Sequence, residues 1–343
     1  MTSPSNTGHR TLPLPDLNTA FPGPVPTSPH ADHVEQQLLR WTEEFPLLAP
    51  ADERRSLCSI TGQGIARALP TADPDSLVLC AELFLWLVAF DDVHGEATAA
   101  RDPALLVDRV GELIRVLADD DESADSPNEP FAAGLGDLLA RFRARGTPTQ
   151  YLRLTRHLLD NFLGLIWEAH NLPQPERVTV RTYCAMRPDT SFVRTIMATA
   201  PIALAYELSD EQQSSEPVRQ LETAVAHLAG WVNDLASYAR ETERLHATPL
   251  SLPTLLMAEH RLDLPTAFAM ASRMCEEQAE VARTRISELT SDSSPPLTLH
   301  AQALEHIAYS FIWHVGHDRY AESTTAAART VALHPTTGSP SCP

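Results

Sequence analysis

Short breaks built from proline, glycine and serine divide this chain, and between them apolar residues recur at helical spacing. The breaks fall at Gly146-Thr147-Pro148, Pro173-Gln174-Pro175, Ser214 to Pro217 and Ser291 to Pro296. Val34, Leu38, Leu39, Trp41 and Phe45 mark a first helical stretch and Ile60, Ile65, Ala68 and Leu69 a second. Pro70 and Pro74 then precede a very apolar stretch ending in Phe90-Asp91-Asp92. Further helices are expected over 103–118, 130–145, 148–169, 178–187, 191–208, 216–243, 263–290 and 297–316. Leu and Ala dominate, glycine is scarce at 13, and no run of alternating β-branched residues suggests a strand. The fold class that follows is all-α: one body of about ten helices, with no internal repeat.

Residues 1–30 hold seven prolines and are expected to be disordered or an extended strap over the folded body, residues 31–320. Residues 321–343 are Ala/Thr/Pro/Ser-rich and read as a disordered tail. A formal charge of −19, with no basic stripe, argues against nucleic-acid binding. No Gly-rich phosphate loop of either nucleotide-binding type is present. The five scattered cysteines, without a CxxC pair, suit a reducing compartment. The N-terminus has no apolar core, and the apolar run Leu77–Phe90, interrupted by Glu82, is short for a membrane span. A cytoplasmic protein without a membrane span is expected.

Asn233, Ser237 and Glu241 are spaced four and four. On a helix each lies one turn beyond the last, drifting by only ~40° per step. One face then presents an amide oxygen, a hydroxyl and a carboxylate, a set suited to a hard cation such as Mg²⁺ that is shared with a phosphate. Asp91 and Asp92 close the apolar helix, where carboxylates sit poorly against the dipole. A solvated helix end would also explain that pair. Two such oxygen clusters could flank one cavity and hold a diphosphate. Arg187 precedes Pro188, which is expected to break the helix there and leave backbone groups free for a ligand. Arg319-Tyr320 supplies a guanidinium and a phenol after the last strong helix.

Taken in order, Asp91-Asp92…Glu96, Arg187, Asn233…Ser237…Arg240-Glu241 and Arg319-Tyr320 resemble the motifs of bacterial class I terpene synthases (terpene cyclases). The resemblance spans roughly residues 22–320, and Arg187 stands 46 positions before Asn233, as in that family. It implies a single-domain helical bundle around a central cavity. It also implies Mg²⁺-dependent ionisation of a linear isoprenyl diphosphate, farnesyl diphosphate first and geranylgeranyl diphosphate second, then cyclisation of the cation and release of diphosphate. Three Mg²⁺ ions are implied, held by Asp91, Asp92 and Glu96 on one side and Asn233, Ser237 and Glu241 on the other. Arg187, Arg240, Arg319 and Tyr320 would donate to the diphosphate, and the bundle would shield the cation from water.

Two positions depart from the family pattern. Gly95 stands where many members carry an acid, and the linker and effector positions after Arg187 fall on Thr190 and Ser191. Aromatic candidates for the cavity wall are Phe84, Trp86, Phe90, Tyr183, Phe192, Trp231, Tyr309 and Trp313, with Phe90, Tyr183 and Trp313 preferred. Asp119-Asp120-Asp121-Glu122 reads as a solvated loop, and His314-Val315-Gly316-His317 lacks the further ligands of a zinc site. A chain-elongating prenyltransferase would need a second DDxxD motif in place of the Asn/Ser/Glu triad. The alternative from another class is a catalytically inactive helical binding protein that retains the fold. A homodimer is left open.

Overall fold

The computed structural model describes residues 12, 14–17, 19–22, 26–48, 51–95, 98, 102–118, 129–291 and 294–315. Thirteen α-helices and one 3-10 turn, but no strand, occur among them. In chain order the helices are α1 Ala31–Glu44, α2 Ala51–Ala68, α3 Pro74–His94, α4 Pro103–Leu117, α5 Pro130–Arg145, α6 Pro148–Asn171 and α7 Val180–Thr190. They continue as α8 Val193–Ala203, α9 Asp210–Ser214, α10 Glu216–Leu245, α11 Leu252–His260, α12 Leu264–Ser291 and α13 Pro295–Val315.

The predicted breaks act as helix starts. Asp73 accepts from the amides of Asp75 and Ser76 at 3.1 and 3.0 Å, with Pro74 in the first turn of α3. Thr147 and Gln150 form a reciprocal capping box at the start of α6. α3 is apolar nearly all round, and such a helix must be enclosed by others. α1, α2, α5 and α8 pack against it. Glu82, the one acid within its apolar run, is buried and ion-paired with Arg141 of α5. α10 is the longest element at 30 residues and touches α7, α8, α11, α12 and α13, while α13 also packs on α2.

Three expectations change. A helix at 252–260 was not foreseen, and the expected helix 191–208 is the shorter Val193–Ala203. The break placed at Pro188 lies further on, because α7 continues through Pro188 to Thr190 and the chain turns at Ser191-Phe192. Proline cannot donate to the Cys184 carbonyl one turn back. His227 Nε2 of α10 donates to that carbonyl at 2.9 Å instead, so the helix survives its proline.

Parts of the Pro-rich N-terminal segment pack on the body. Leu12, Leu17 and Phe21 are buried, the Phe21 ring meets that of Tyr309 edge-on at 5.3 Å, and the Tyr309 hydroxyl donates to the Pro22 carbonyl. No helix among the described residues is long and apolar enough to cross a membrane. Cys58, Cys80, Cys184 and Cys275 are free thiols, and burial pushes Cys58 and Cys184 up to about 11. Glu96, Arg319, Tyr320, the acidic run Asp119–Glu122, Gly316, His317 and the tail lie outside the described residues.

Candidate active site

α2, α3, α6, α7, α10 and α13 enclose a cavity of about 1180 Å³, part of it open to solvent. Asp91 and Asp92 at the end of α3 line it, and so do Asn233, Asp234, Arg240 and Glu241 of α10, with Arg187, Thr190 and Ser191 between them. The end of α3 and the middle of α10, 142 positions apart in sequence (Asp91 to Asn233), therefore face one space. The remaining wall is mostly apolar, formed by Leu57, Ile60, Val88, Phe84, Phe192 and Phe311.

Arg187 is buried and fully oriented. Its Nη2 lies 2.7 Å from Asp234 Oδ1 and donates to Asn233 Oδ1 at 2.9 Å, while Nη1 donates to Thr190 Oγ1 at 3.1 Å. Burial works against its charge, but Asp234, followed by Tyr183, Glu168 and Glu241, holds the guanidinium well above its usual range. The Arg187 Nε is buried without a partner among the described residues. Burial pushes the Asp234 carboxyl up, and Arg187, the Tyr183 hydroxyl at 2.6 Å and the Leu252 amide at 3.0 Å oppose that. Gly230 leaves room for the guanidinium stem, since a Cβ there would stand 2.9 Å from Arg187 Cγ.

On α10, Ser237 Oγ donates to the Asn233 carbonyl at 2.8 Å, which leaves its lone pairs for a cation. Asn233 Oδ1 accepts from Arg187 and keeps a second lone pair. Burial raises the Glu241 carboxyl, the Ser237 hydroxyl opposes the shift, Asp234 adds to it, and Arg187 and Arg240 oppose it. A carboxylate disfavoured by burial, beside an amide and a hydroxyl with lone pairs to spare, fits a hard divalent cation. His, Cys, Asp and Glu alone form no metal-holding group of three among the described residues, so the amide and hydroxyl are needed to complete such a set.

On α3, Gly95 has a steric reason. A Cβ there would meet the Asp91 carbonyl oxygen at 2.8 Å and its carboxylate closer still. Any side chain at this position would therefore displace Asp91. Arg244 reaches across from α10, donating to the Asp92 carbonyl at 2.8 Å and facing Asp92 Oδ1 at 3.3 Å.

The preferred aromatic wall is different from the one expected. Phe90 lies in the core, stacked on Trp86 with centroids 5.4 Å apart. Tyr183 spends its hydroxyl on Asp234, and Trp313 carries the Arg67 guanidinium 4.0 Å over its ring. None of the three is among the residues lining the cavity, where Phe84, Phe192 and Phe311 stand instead. Phe192 reaches it because the chain adopts a left-handed conformation there, φ 60°. Asp234, Glu168 and Arg244 are polar residues that motif reading missed. Arg244 was within reach of helical spacing, since it lies one turn beyond Arg240.

The chain is similar to known proteins over most of its length. Residues 82–280 match the family model of terpene synthase family 2, C-terminal metal binding. The chain is 57% identical over 319 residues to the (12E)-labda-8(17),12,14-triene synthase of Streptomyces cyslabdanicus, covering 93% of this chain and 96% of that one. It is 54% identical to the synthase of the same name from Streptomyces anulatus, over 90% and 95% of the two chains. It is 34% identical to the labda-7,13(16),14-triene synthase of Streptomyces clavuligerus, over 85% and 84%. Among solved structures, the SVS_A2 protein from ancestral sequence reconstruction superposes with a TM-score of 0.76 at 22% identity, over 94% and 100% of the chains. The 2-methylisoborneol synthase of Streptomyces coelicolor A3(2) gives 0.74 at 19%, over 86% and 92%. With an all-α bundle, a cavity bordered by both motif helices and relatives of this identity, the chain belongs to the bacterial class I terpene synthases.

Proposed function

We propose that this terpene synthase ionises a C20 allylic diphosphate of the labdane type and releases a labdatriene. The supporting observation is the identity of 57% and 54%, over nine-tenths of the chain, to two enzymes named labdatriene synthases. Relatives named for cyclising farnesyl diphosphate stand at 29% and 28%. The C15 substrate expected first from the motifs therefore gives way to a C20 one. A labdane has two fused rings and keeps its allylic end as an open side chain, so the allylic cation does not close those rings. The reading favours a substrate that is already bicyclic, with linear geranylgeranyl diphosphate second.

Asp91 and Asp92, with Glu96, would hold Mg²⁺ on one lip of the cavity, and Asn233, Ser237 and Glu241 on the other, for three ions in all. Bound there, Mg²⁺ supplies Lewis-acid stabilisation of the departing diphosphate. Arg187 donates to the same oxygens, and its pairing with Asp234 and Asn233 sets its orientation beforehand, so little reorganisation is needed. Arg240, Arg319 and Tyr320 are proposed as further donors. Phe84, Phe192 and Phe311, with the aliphatic wall, keep water from the cation that remains. Ser191, at the turn after α7, is proposed to face the diphosphate end.

The test is incubation of the purified protein with farnesyl, geranylgeranyl and a bicyclic labdadienyl diphosphate, with Mg²⁺ and then with chelator. A triene formed from the bicyclic substrate, and abolished by chelator, is expected. Turnover of farnesyl diphosphate with none of either C20 compound would sink the proposal.

A further inference from the structure

Charged groups of α3, α6, α7 and α10 line the cavity, whereas α2 contributes the apolar Leu57 and Ile60 together with one hydroxyl. Thr61, in the third turn of α2, is completely buried and lines the cavity. Its Oγ1 has no hydrogen-bond partner among the described residues. A threonine within a helix ordinarily donates back to a carbonyl three or four positions earlier. Thr42 does so to Leu39 at 2.9 Å and Thr199 to Ile196 at 2.7 Å. Thr61 does not, so a buried hydroxyl is left to the cavity contents, an arrangement that is costly unless something there uses it.

One turn beyond Thr61, α13 crosses α2 at Gly64. Ser310 Oγ donates to the Gly64 carbonyl at 2.7 Å, and a Cβ on Gly64 would lie 3.7 Å from His314 Nδ1. His314 lines the same cavity. The crossing therefore brings the imidazole of His314 against the α2 turn that follows Thr61, and both residues line the cavity.

We propose that Thr61 determines which proton the final carbocation loses, with His314 as the acceptor. The inference rests on the allylic-cation chemistry proposed above. Diphosphate leaves with the electron pair of the carbon–oxygen bond. The Thr61 oxygen places partial negative charge beside one flank of the cation and favours charge there. A carbon–hydrogen bond next to the electron-deficient carbon breaks, its electron pair becomes the new double bond, and the proton goes to a ring nitrogen of His314. A wall without this hydroxyl would not discriminate among the neighbouring carbon–hydrogen bonds.

Thr61→Val keeps the shape and removes the hydroxyl, Thr61→Ser keeps the hydroxyl, and His314→Phe removes the acceptor. Each full-length variant is incubated with the C20 diphosphates and Mg²⁺, and each hydrocarbon is quantified per diphosphate released. In Thr61→Val and His314→Phe the share of the main triene is expected to fall at least about threefold in favour of its double-bond isomers, while Thr61→Ser keeps the parent ratio. A parent product ratio in Thr61→Val would overturn the role of Thr61, and one in His314→Phe would overturn that of His314. If the parent enzyme releases diphosphate from neither C20 substrate, the substrate reading has failed. The same ratios are then read on the products of farnesyl diphosphate, with the same outcomes deciding.

Discussion

Arg187 and Asp234 form an ion pair inside the protein, Nη2 to Oδ1 at 2.7 Å, with side chains only 10% and 2% exposed. The pair joins the end of α7 to the middle of α10 and is completed by the Tyr183 hydroxyl and the Leu252 amide on the other carboxylate oxygen. Asp234 adjoins the metal-ligand candidate Asn233 in sequence and also borders the cavity, but its carboxylate is taken up by Arg187, Tyr183 and the Leu252 amide, so it acts as the anchor of Arg187. The arginine is thus held in place while its Nε remains unpartnered.

Removing the anchor leaves a buried guanidinium without its anion. Asp234→Asn is expected to destabilise the fold by about 3–5 kcal/mol, the usual cost of breaking a buried pair from one side. Urea unfolding measures it. A loss below about 1 kcal/mol would show that Arg187 does not depend on Asp234.

Gly230 separates packing from helix propensity. Alanine within a helix normally gains up to about 1 kcal/mol over glycine. Here the added methyl meets Arg187 Cγ at 2.9 Å, and overpacking of that kind costs about 1–3 kcal/mol. Gly230→Ala is therefore expected to melt at or below the parent temperature and to release diphosphate at least about tenfold more slowly. A variant that is both more stable and fully active would mean that Arg187 can move aside without loss.

The raised carboxyl of Glu241 gives a pH-dependent signature. Between its ordinary and its raised value the folded protein binds more protons than the unfolded chain, so metal-free stability falls as pH rises through that window. Glu241→Gln removes the penalty. At mildly alkaline pH the metal-free variant should melt above the parent, and Mg²⁺ with diphosphate should raise its melting temperature less. Parent-like stabilisation by Mg²⁺ and diphosphate would exclude Glu241 as a ligand.

Four histidines predict the opposite trend at acid pH. His94, His157, His227 and His306 are all lowered from 6.5, chiefly by burial. The unfolded chain then binds more protons as pH falls below 6.5, and stability is lost through that window. Chemical denaturation at a series of pH values reads the slope. His227 carries an added role, because its loss strips the Cys184 carbonyl of its donor. His227→Phe should cost about 1–3 kcal/mol and flatten part of the acid slope. An unchanged midpoint would show that α7 tolerates Pro188 unaided.

Much of this protein is legible from local rules. Helical spacing and proline breaks settle the all-α class, and the four-residue steps of Asn233, Ser237 and Glu241 settle that they share a face, because a helix repeats over a few residues wherever it lies. What each face meets is a long-range matter. Packing alone turned Phe90 and Tyr183 into the core and brought Phe84, Phe192 and Phe311 to the cavity. It also placed His227 against the carbonyl freed by Pro188, which moved the turn to Ser191-Phe192, and it paired Arg244 with Asp92 across 152 positions of chain. Those relationships depend on which helices become neighbours, and no local periodicity encodes that.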